Sequence, residues 1–341
     1  MITNLIRKNI QQLKPYSTAR DEFKGLAEVY LDANENPYPS AYNRYPDPQQ
    51  LKLKEKLGVL KGVNPAQIFL GNGSDEAIDL LIRAFCEPYQ DSILITDPTY
   101  GMYSVAGEVN GAIIKRVPLT SDFELDTHSI INTIDKTTKI IFLCSPNNPS
   151  GNLLNKDKVR GIAKAFSGLV VVDEAYIDFA RDKGFIDELP TYPNLVILQT
   201  FSKAWGLAGL RLGMCFASEE IIQILNKIKY PYNVNTYTQQ KALEALALPE
   251  HMKQHVNEVL DERESLRKNL NTLKTVKRIY PSDANFLLVQ MNHAKQTYDR
   301  LLNANIIVRD RSSVLHCGNC LRITIGTPAE NERLLEILKL L

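Results

Sequence analysis

The sequence predicts an α/β protein: a large domain with a mainly parallel sheet between helices, followed by a smaller α+β domain. Three observations carry that expectation. Between about residues 68 and 217, continuous runs rich in Ile, Leu and Val alternate with segments of helical periodicity, the pattern of strands buried on both faces. Beyond about residue 245 the order changes to a long charged helix, then short strands and helices. Polar residues gather just after the strand-like runs, where open α/β sheets bind ligands.

Taken in order, residues 1–30 read as an arm carrying a short helix. Residues 31–39, polar and punctuated by Pro37 and Pro39, predict a loop. Tyr45-Pro46-Asp47-Pro48 then leads into a helix over 49–57. Ile68-Phe69-Leu70 is a strand and residues 71–75 a turn, and Ala77, Leu80, Leu81 and Ala84 give helix spacing over 76–85. Further strands are expected over 92–95, 112–117, 139–144, 169–174, 196–199 and 213–217, with helices after 101, over 130–134 and after 151. The last unit predicts a helix over 250–273, a strand over 286–290, a helix over 297–304, strands over 306–309 and 321–326, and a helix from Glu330. The expected division is an arm over 1–30, a large domain over 31–245 and a small domain over 246–341, with the long helix as the hinge.

Composition narrows the function classes. The 341 residues carry 40 Lys and Arg against 39 Asp and Glu, a net charge of +1, which gives no electrostatic footprint for nucleic acid or an anionic membrane. No apolar run reaches the roughly 18–20 residues that span a bilayer. Residues 1–8 lack the apolar core of a secretory signal, so a cytoplasmic location is expected. The 5 cysteines, Cys86, Cys144, Cys215, Cys317 and Cys320, are odd in number and argue against a disulfide framework. Cys317-Gly318-Asn319-Cys320 has C-x-x-C spacing beside His316, yet no second ligand pair completes a zinc site. The residues after it read as a strand rather than the helix that a redox motif opens. His251 and His255 share a helical face without the glutamate of H-E-x-x-H, so no metal is expected.

The stretch from Gln199 to Gly213 organises the chemistry. It sets Lys203 just after a strand, with the hydroxyls of Thr200 and Ser202 at −3 and −1 and Arg211 at +8. Covalent chemistry at a lysine needs a fixed backbone, close packing and a nearby cation that lowers its pKa. An ordinary surface lysine in a loop is the other reading of that window alone. Gly73-Ser74-Asp75, Tyr100, Asn148 and the pair Asp173 and Tyr176 stand at other strand ends. Each taken singly is also an ordinary turn or helix cap. Together they fill the ligand-binding edge of one sheet.

The order of these stretches resembles the fold-type I pyridoxal-phosphate enzymes, the aspartate aminotransferase superfamily, over the whole chain. Leu31-Asp32-Ala33-Asn34-Glu35-Asn36-Pro37-Tyr38, Gly71-Asn72-Gly73-Ser74-Asp75-Glu76, residues 145–151, Val172-Asp173-Glu174-Ala175-Tyr176, Ser202-Lys203-Ala204 with Gly209–Gly213, and Leu321-Arg322-Ile323-Thr324-Ile325-Gly326-Thr327 carry the resemblance. Their finer wording is similar to the histidinol-phosphate aminotransferase family within it.

The resemblance implies pyridoxal 5'-phosphate as cofactor, held covalently by Lys203, whose amine then moves a proton in catalysis. Asp173 would face the pyridine nitrogen, Asn148 and Tyr176 the phenolic oxygen, and Tyr100 the ring face. Gly73, Ser74 and Asp75 at a helix start, with Thr200, Ser202 and Arg211, would cup the phosphate. Arg322 would take the anionic end of the substrate, helped by Arg309, Tyr16 and Asn34. Tyr45 is expected to reach the cofactor phosphate of a second subunit, implying a homodimer in which the arm is a dimer and lid element. The implied substrates are histidinol phosphate and 2-oxoglutarate or glutamate. An aromatic amino acid aminotransferase and a phospho-amino-acid decarboxylase of the same fold stay open as alternatives.

Overall fold

The computed structural model describes residues 2–16 and 28–341. Seven strands form the larger sheet: β1 (Ile68–Asn72), β2 (Ser92–Asp97), β3 (Ile113–Pro118), β4 (Thr138–Cys144), β5 (Leu169–Asp173), β6 (Leu195–Thr200) and β7 (Leu212–Phe216). Their order is β1-β7-β6-β5-β4-β2-β3. Only β7 runs antiparallel to its neighbours β1 and β6, so the mainly parallel sheet expected from the sequence is present.

The continuous apolar runs have a direct cause. In β5, Leu169 and Val171 pack into the core on one face, and Val170 and Val172 into the core on the other. Each side chain buried in this way contributes about 1.5–3 kcal/mol. Helices cover both faces. On one side lie α1 (Lys8–Gln12), α3 (Gly73–Phe85), α4 (Met102–Val109) and α7 (Glu219–Ile228), which contribute Ile10, Ile78, Tyr103 and Ile221 to one core. On the other lie α2 (Leu51–Lys61), α5 (Thr127–Thr133), α6 (Lys156–Ala165) and α8 (Thr236–Leu246), which contribute Leu57, Ile130, Ile162 and Ala242. The start of α6 is set by Asn155, whose side chain accepts from the amides of Asp157 and Lys158. The edge strand β3 is protected by half-exposed Lys115 and exposed Arg116.

Helix α9 (Pro249–Leu270) leaves this sheet for a second one. Its Val256 packs with Tyr176, Phe179 and Phe286, while Leu266 and Leu270 join the core of the second sheet. That sheet is antiparallel, in the order β10-β11-β9-β8, from β8 (Val276–Ile279), β9 (Phe286–Met291), β10 (Arg309–Asp310) and β11 (Cys320–Thr324). Helices α10 (Ala294–Asn303) and α11 (Pro328–Lys339) pack on it, the latter opened by a capping box between Thr327 and Glu330.

Three local expectations are corrected. The strand expected over 306–309 is confined to Arg309–Asp310. Asn305 turns the chain with φ 60, and Ile306 and Val308 pack on the small core as irregular chain. The turn expected over 71–75 is shorter, because β1 runs to Asn72 and α3 starts at Gly73. No strand was expected at Val276–Ile279, where two apolar residues flank Lys277 and Arg278 and the pattern is too short to read. Among the described residues no helix is long and apolar enough to cross a membrane, and no group of three or more His, Cys, Asp or Glu is placed to hold a metal. All five cysteines are buried and free.

Candidate active site

A cavity of about 150 Å³ opens at the carboxyl ends of β4, β5 and β6. Gly73, Ser74, Asp75, Tyr100, Asn148, Asp173, Tyr176, Thr200, Ser202, Lys203 and Arg211 all line it, together with Cys144 and Ala175. The sheet order explains the convergence: β5 and β6 are neighbours, so Asp173 and Lys203 emerge side by side although they lie far apart in sequence.

One wall is the junction of β1 and α3. Gly73 holds φ +72 and donates its amide to the carbonyl of Arg211 at 2.7 Å. Gly213, in the facing strand, approaches so closely that an added Cβ would lie 2.1 Å from both Gly73 C and Ser74 N. Only glycine fits there, which explains its place two residues after the arginine. The amides of Ser74 and Asp75 lie in the first helical turn, where N–H groups have no partner inside the helix and favour an anion. Arg211, with φ 52, turns its guanidinium onto Asp75 at 3.1 Å. The Thr200 hydroxyl donates to the Leu212 carbonyl at 3.3 Å and accepts from the Ser202 amide at 3.1 Å.

Asp173 is 2% exposed at the end of β5. It accepts from the Tyr103 hydroxyl at 2.7 Å and from the Ala175 amide at 3.1 Å. Burial raises its carboxyl to about 6, against the downward pull of those two hydrogen bonds. Tyr103 is itself clamped against Phe142, with ring centroids 4.8 Å apart. Lys203 opens toward solvent through the cavity mouth, its Nζ 5.5 Å from the centre of the Tyr176 ring. Its pKa is lowered, first by desolvation and then by Arg322, against an opposing pull from Asp173. The adjacent Glu174 turns away from the cavity, taking hydrogen bonds from the Phe185 amide and Gln199, and burial raises it to about 7.

The far end is built from other elements. Arg322 on β11 donates to Asn148 Oδ1, and its guanidinium lies 5.2 Å from the centre of the Phe286 ring. Arg309 stands directly opposite Arg322 in the β10–β11 ladder. Arg322 meets the cavity wall only through Asn148 and Arg309 only stands beside it, and three further expected residues are not brought to this cavity. Asn34 and Tyr45 line a second, more open cavity of about 710 Å³, and Tyr45 stacks on Tyr232 with ring centroids 4.3 Å apart. Tyr16 is 77% exposed and lines neither.

Residues 21–338 match the family model described as aminotransferase class I and II. The chain belongs to that family. It is 57% identical over 338 residues to the histidinol-phosphate aminotransferase of Parabacteroides distasonis, covering 99% of this chain and 98% of that one. Among solved structures it is similar to the histidinol-phosphate aminotransferase of Clostridium acetobutylicum, with TM-score 0.80 and 26% identity over 87% of this chain and 90% of that one. The Sinorhizobium meliloti enzyme of the same name, solved in complex with pyridoxal-5'-phosphate, aligns with TM-score 0.79 and 25% identity over 87% of this chain and 82% of that one.

Two features of this aminotransferase lie outside the sequence reading. Tyr103 follows Tyr100 by three residues, one helical turn on, and that spacing is the only local signal that both face the same strand ends. Phe286 joins the site by packing between Arg322 and Tyr176, whose ring it meets edge-on at 5.1 Å. Its place in an ordinary apolar strand gives no sign of this.

Proposed function

We propose that this aminotransferase holds pyridoxal 5'-phosphate and moves an amino group between L-histidinol phosphate and 2-oxoglutarate, giving imidazole acetol phosphate and L-glutamate. The observation that carries the reading is one cavity lined by Lys203, buried Asp173 and an anion-ready helix start, with Arg322 bonded to Asn148 on its wall. The relatives named above support the choice of substrate.

The residues present fit the cofactor. Gly213 leaves the Ser74 amide clear of a facing Cβ, and Ser74, Asp75, Thr200, Ser202 and Arg211 line the same cavity, a donor set for a phosphate dianion. Asp173 pays a burial penalty for ionising unless a cation is set against it, and a protonated ring nitrogen is such a cation. When bound, the cofactor supplies an aldehyde that condenses with amines and a ring that accepts electron density.

The chain's own residues do the rest. The lowered pKa of Lys203 favours the free amine, so Nζ would take the proton from the amine-bearing carbon of the substrate and deliver it to the carbon that receives the amino group. Tyr103 orients the Asp173 carboxylate and holds part of its charge. Tyr176 and Asn148 would offer hydrogen bonds to the phenolic oxygen, and Tyr100, on the same cavity wall, would cover the ring. Arg322 and Arg309 bind the substrate's anionic end, with Tyr16 and Asn34 closing over it.

The assembly is a homodimer in the same proposal. Exposed Leu31, Tyr38, Tyr42, Tyr45, Tyr230 and Tyr237 lie in two short stretches of chain, side chains that a subunit contact would cover. In that dimer Tyr45 reaches the partner's cofactor phosphate, and residues 1–30, of which 1 and 17–27 lie outside the described residues, act as arm and lid. Residues 31–245 and 246–341 are the two domains, and α9 is the hinge. The enzyme works in the cytoplasm.

A half-reaction screen tests the substrate. Histidinol phosphate, phenylalanine, threonine phosphate and glutamate are added in turn to the cofactor-loaded protein while the cofactor absorbance is followed. Histidinol phosphate and glutamate are expected to shift it fastest. A faster shift with phenylalanine, or release of carbon dioxide from threonine phosphate, would replace this function with another.

A further inference from the structure

We propose that Arg311 determines specificity in this reaction, as a third guanidinium that binds the phosphate end of the substrate and favours a phosphate monoester over a carboxylate. The inference rests on the substrate reading above.

The placement comes from the β10–β11 ladder. Arg309 lies opposite Arg322, and the ladder continues one step further, with the Arg311 amide donating to the Cys320 carbonyl at 2.8 Å. Side chains two apart on an extended chain share a face, and directly opposed residues share it too, so Arg309, Arg311 and Arg322 project together. Arg322 reaches the cavity wall at Asn148, which fixes the face as the one that looks into the site. Arg311 Nε is buried with no acceptor among the described residues. Arg322 and Arg309 both act on Arg311, and the strongest charges on Arg311 and Arg322 are other arginines, a thiol and a tyrosine rather than a carboxylate.

An unneutralised group of guanidiniums is out of balance with a single carboxylate, which one arginine grips as a bidentate pair. A phosphate monoester carries about −1.5 to −2 charges at neutral pH and three acceptor oxygens. Such a group uses several guanidiniums at once. An enzyme that must accept a phosphate monoester in one half-reaction and a dicarboxylate in the other has use for a cation that engages only the first.

Calorimetry on the cofactor-loaded protein tests this, since the cofactor's own phosphate then fills its cup. The probes are inorganic phosphate and succinate. Arg311→Gln is expected to weaken phosphate binding about 10- to 100-fold, and succinate by no more than about threefold. Arg311→Met, which keeps the aliphatic stem, is expected to behave as Arg311→Gln does, and Arg311→Lys to recover much of the lost affinity. Unchanged phosphate binding in either neutral variant, or equal weakening of both anions, would overturn the assignment. In turnover, KM for histidinol phosphate is expected to rise with the phosphate Kd while the glutamate half-reaction holds. If the unmodified enzyme does not turn over histidinol phosphate, the substrate reading falls, while the phosphate and succinate titrations still decide the role of Arg311.

Discussion

At one end of the cavity every polar side chain hangs from a single buried sheet; at the other they come from separate parts of the chain. Asp173 closes β5, Lys203 follows β6, Gly213 belongs to β7 and Ser74 opens the helix after β1. Arg322 and Arg309 come from the second sheet, while Asn34 and Tyr45, on the irregular chain before α2, line a separate cavity. The difference separates two tasks. Moving a proton demands groups fixed before the substrate arrives, which a close-packed sheet provides. Admitting two unlike substrates demands an end that can be completed and opened, a task suited to residues carried on a second sheet.

The sharpest break of that contrast is at Lys203. Lys203→Ala is expected to lower turnover by about 10⁴-fold or more, since it removes both the covalent anchor and the proton carrier. Single-turnover absorbance measures the loss and circular dichroism checks that the fold survives. Turnover near the unmodified level would mean that the rigid end does not hold the chemistry.

Gly213 tests the rigidity itself. An added Cβ would lie 2.1 Å from backbone atoms of Gly73 and Ser74, which cannot swing aside as a side chain could. Gly213→Ala is expected to cost about 3 kcal/mol or more in urea denaturation, with weaker cofactor binding as its companion. A cost below about 1 kcal/mol would show a junction that relaxes, and the contrast between the two ends would shrink.

The same division governs what could be read from the sequence. Strands buried on both faces write long apolar runs, and a polar residue ending such a run, as Asp173 ends β5, stands out. Tyr103 does not stand out, because a tyrosine in an amphipathic helix looks like core and its partner lies 70 residues away. The β-branched run Ile306-Ile307-Val308 has strand composition, but strand pairing depends on a neighbour, and the pairing with β11 begins only at Arg309. Tyr16, Asn34 and Tyr45 entered through family resemblance alone. No local pattern places them, and one chain does not bring them to the cavity.

A smaller effect sharpens the electrostatic side of the rigid end. Burial raises Asp173 from 3.8 to about 6, so the folded protein binds that proton more tightly than the unfolded chain. The stabilisation is fully present below 3.8 and is lost as pH rises through about 6. In cofactor-free protein, the stability of the parent relative to Asp173→Asn is therefore expected to fall across that window, on the order of 2 kcal/mol. Chemical denaturation at a series of pH values measures the difference. A flat difference would place the Asp173 carboxylate in a far wetter setting than its hydrogen bonds to Tyr103 and Ala175 describe.

The smallest expected effect bears on the adaptable end. Tyr45 stacks on Tyr232 through its ring, whereas the proposed contact with the partner's cofactor phosphate uses its hydroxyl. Tyr45→Phe keeps the ring and removes the hydroxyl, so it separates the two roles. Losing one hydrogen bond to a charged group is expected to weaken cofactor binding about 10-fold, read by titrating the cofactor-free protein. Thermal stability should stay within about 2 °C, because the stacking survives. Unchanged cofactor affinity would leave Tyr45 as a packing residue of its own chain, and the phosphate cup would then be complete within one subunit.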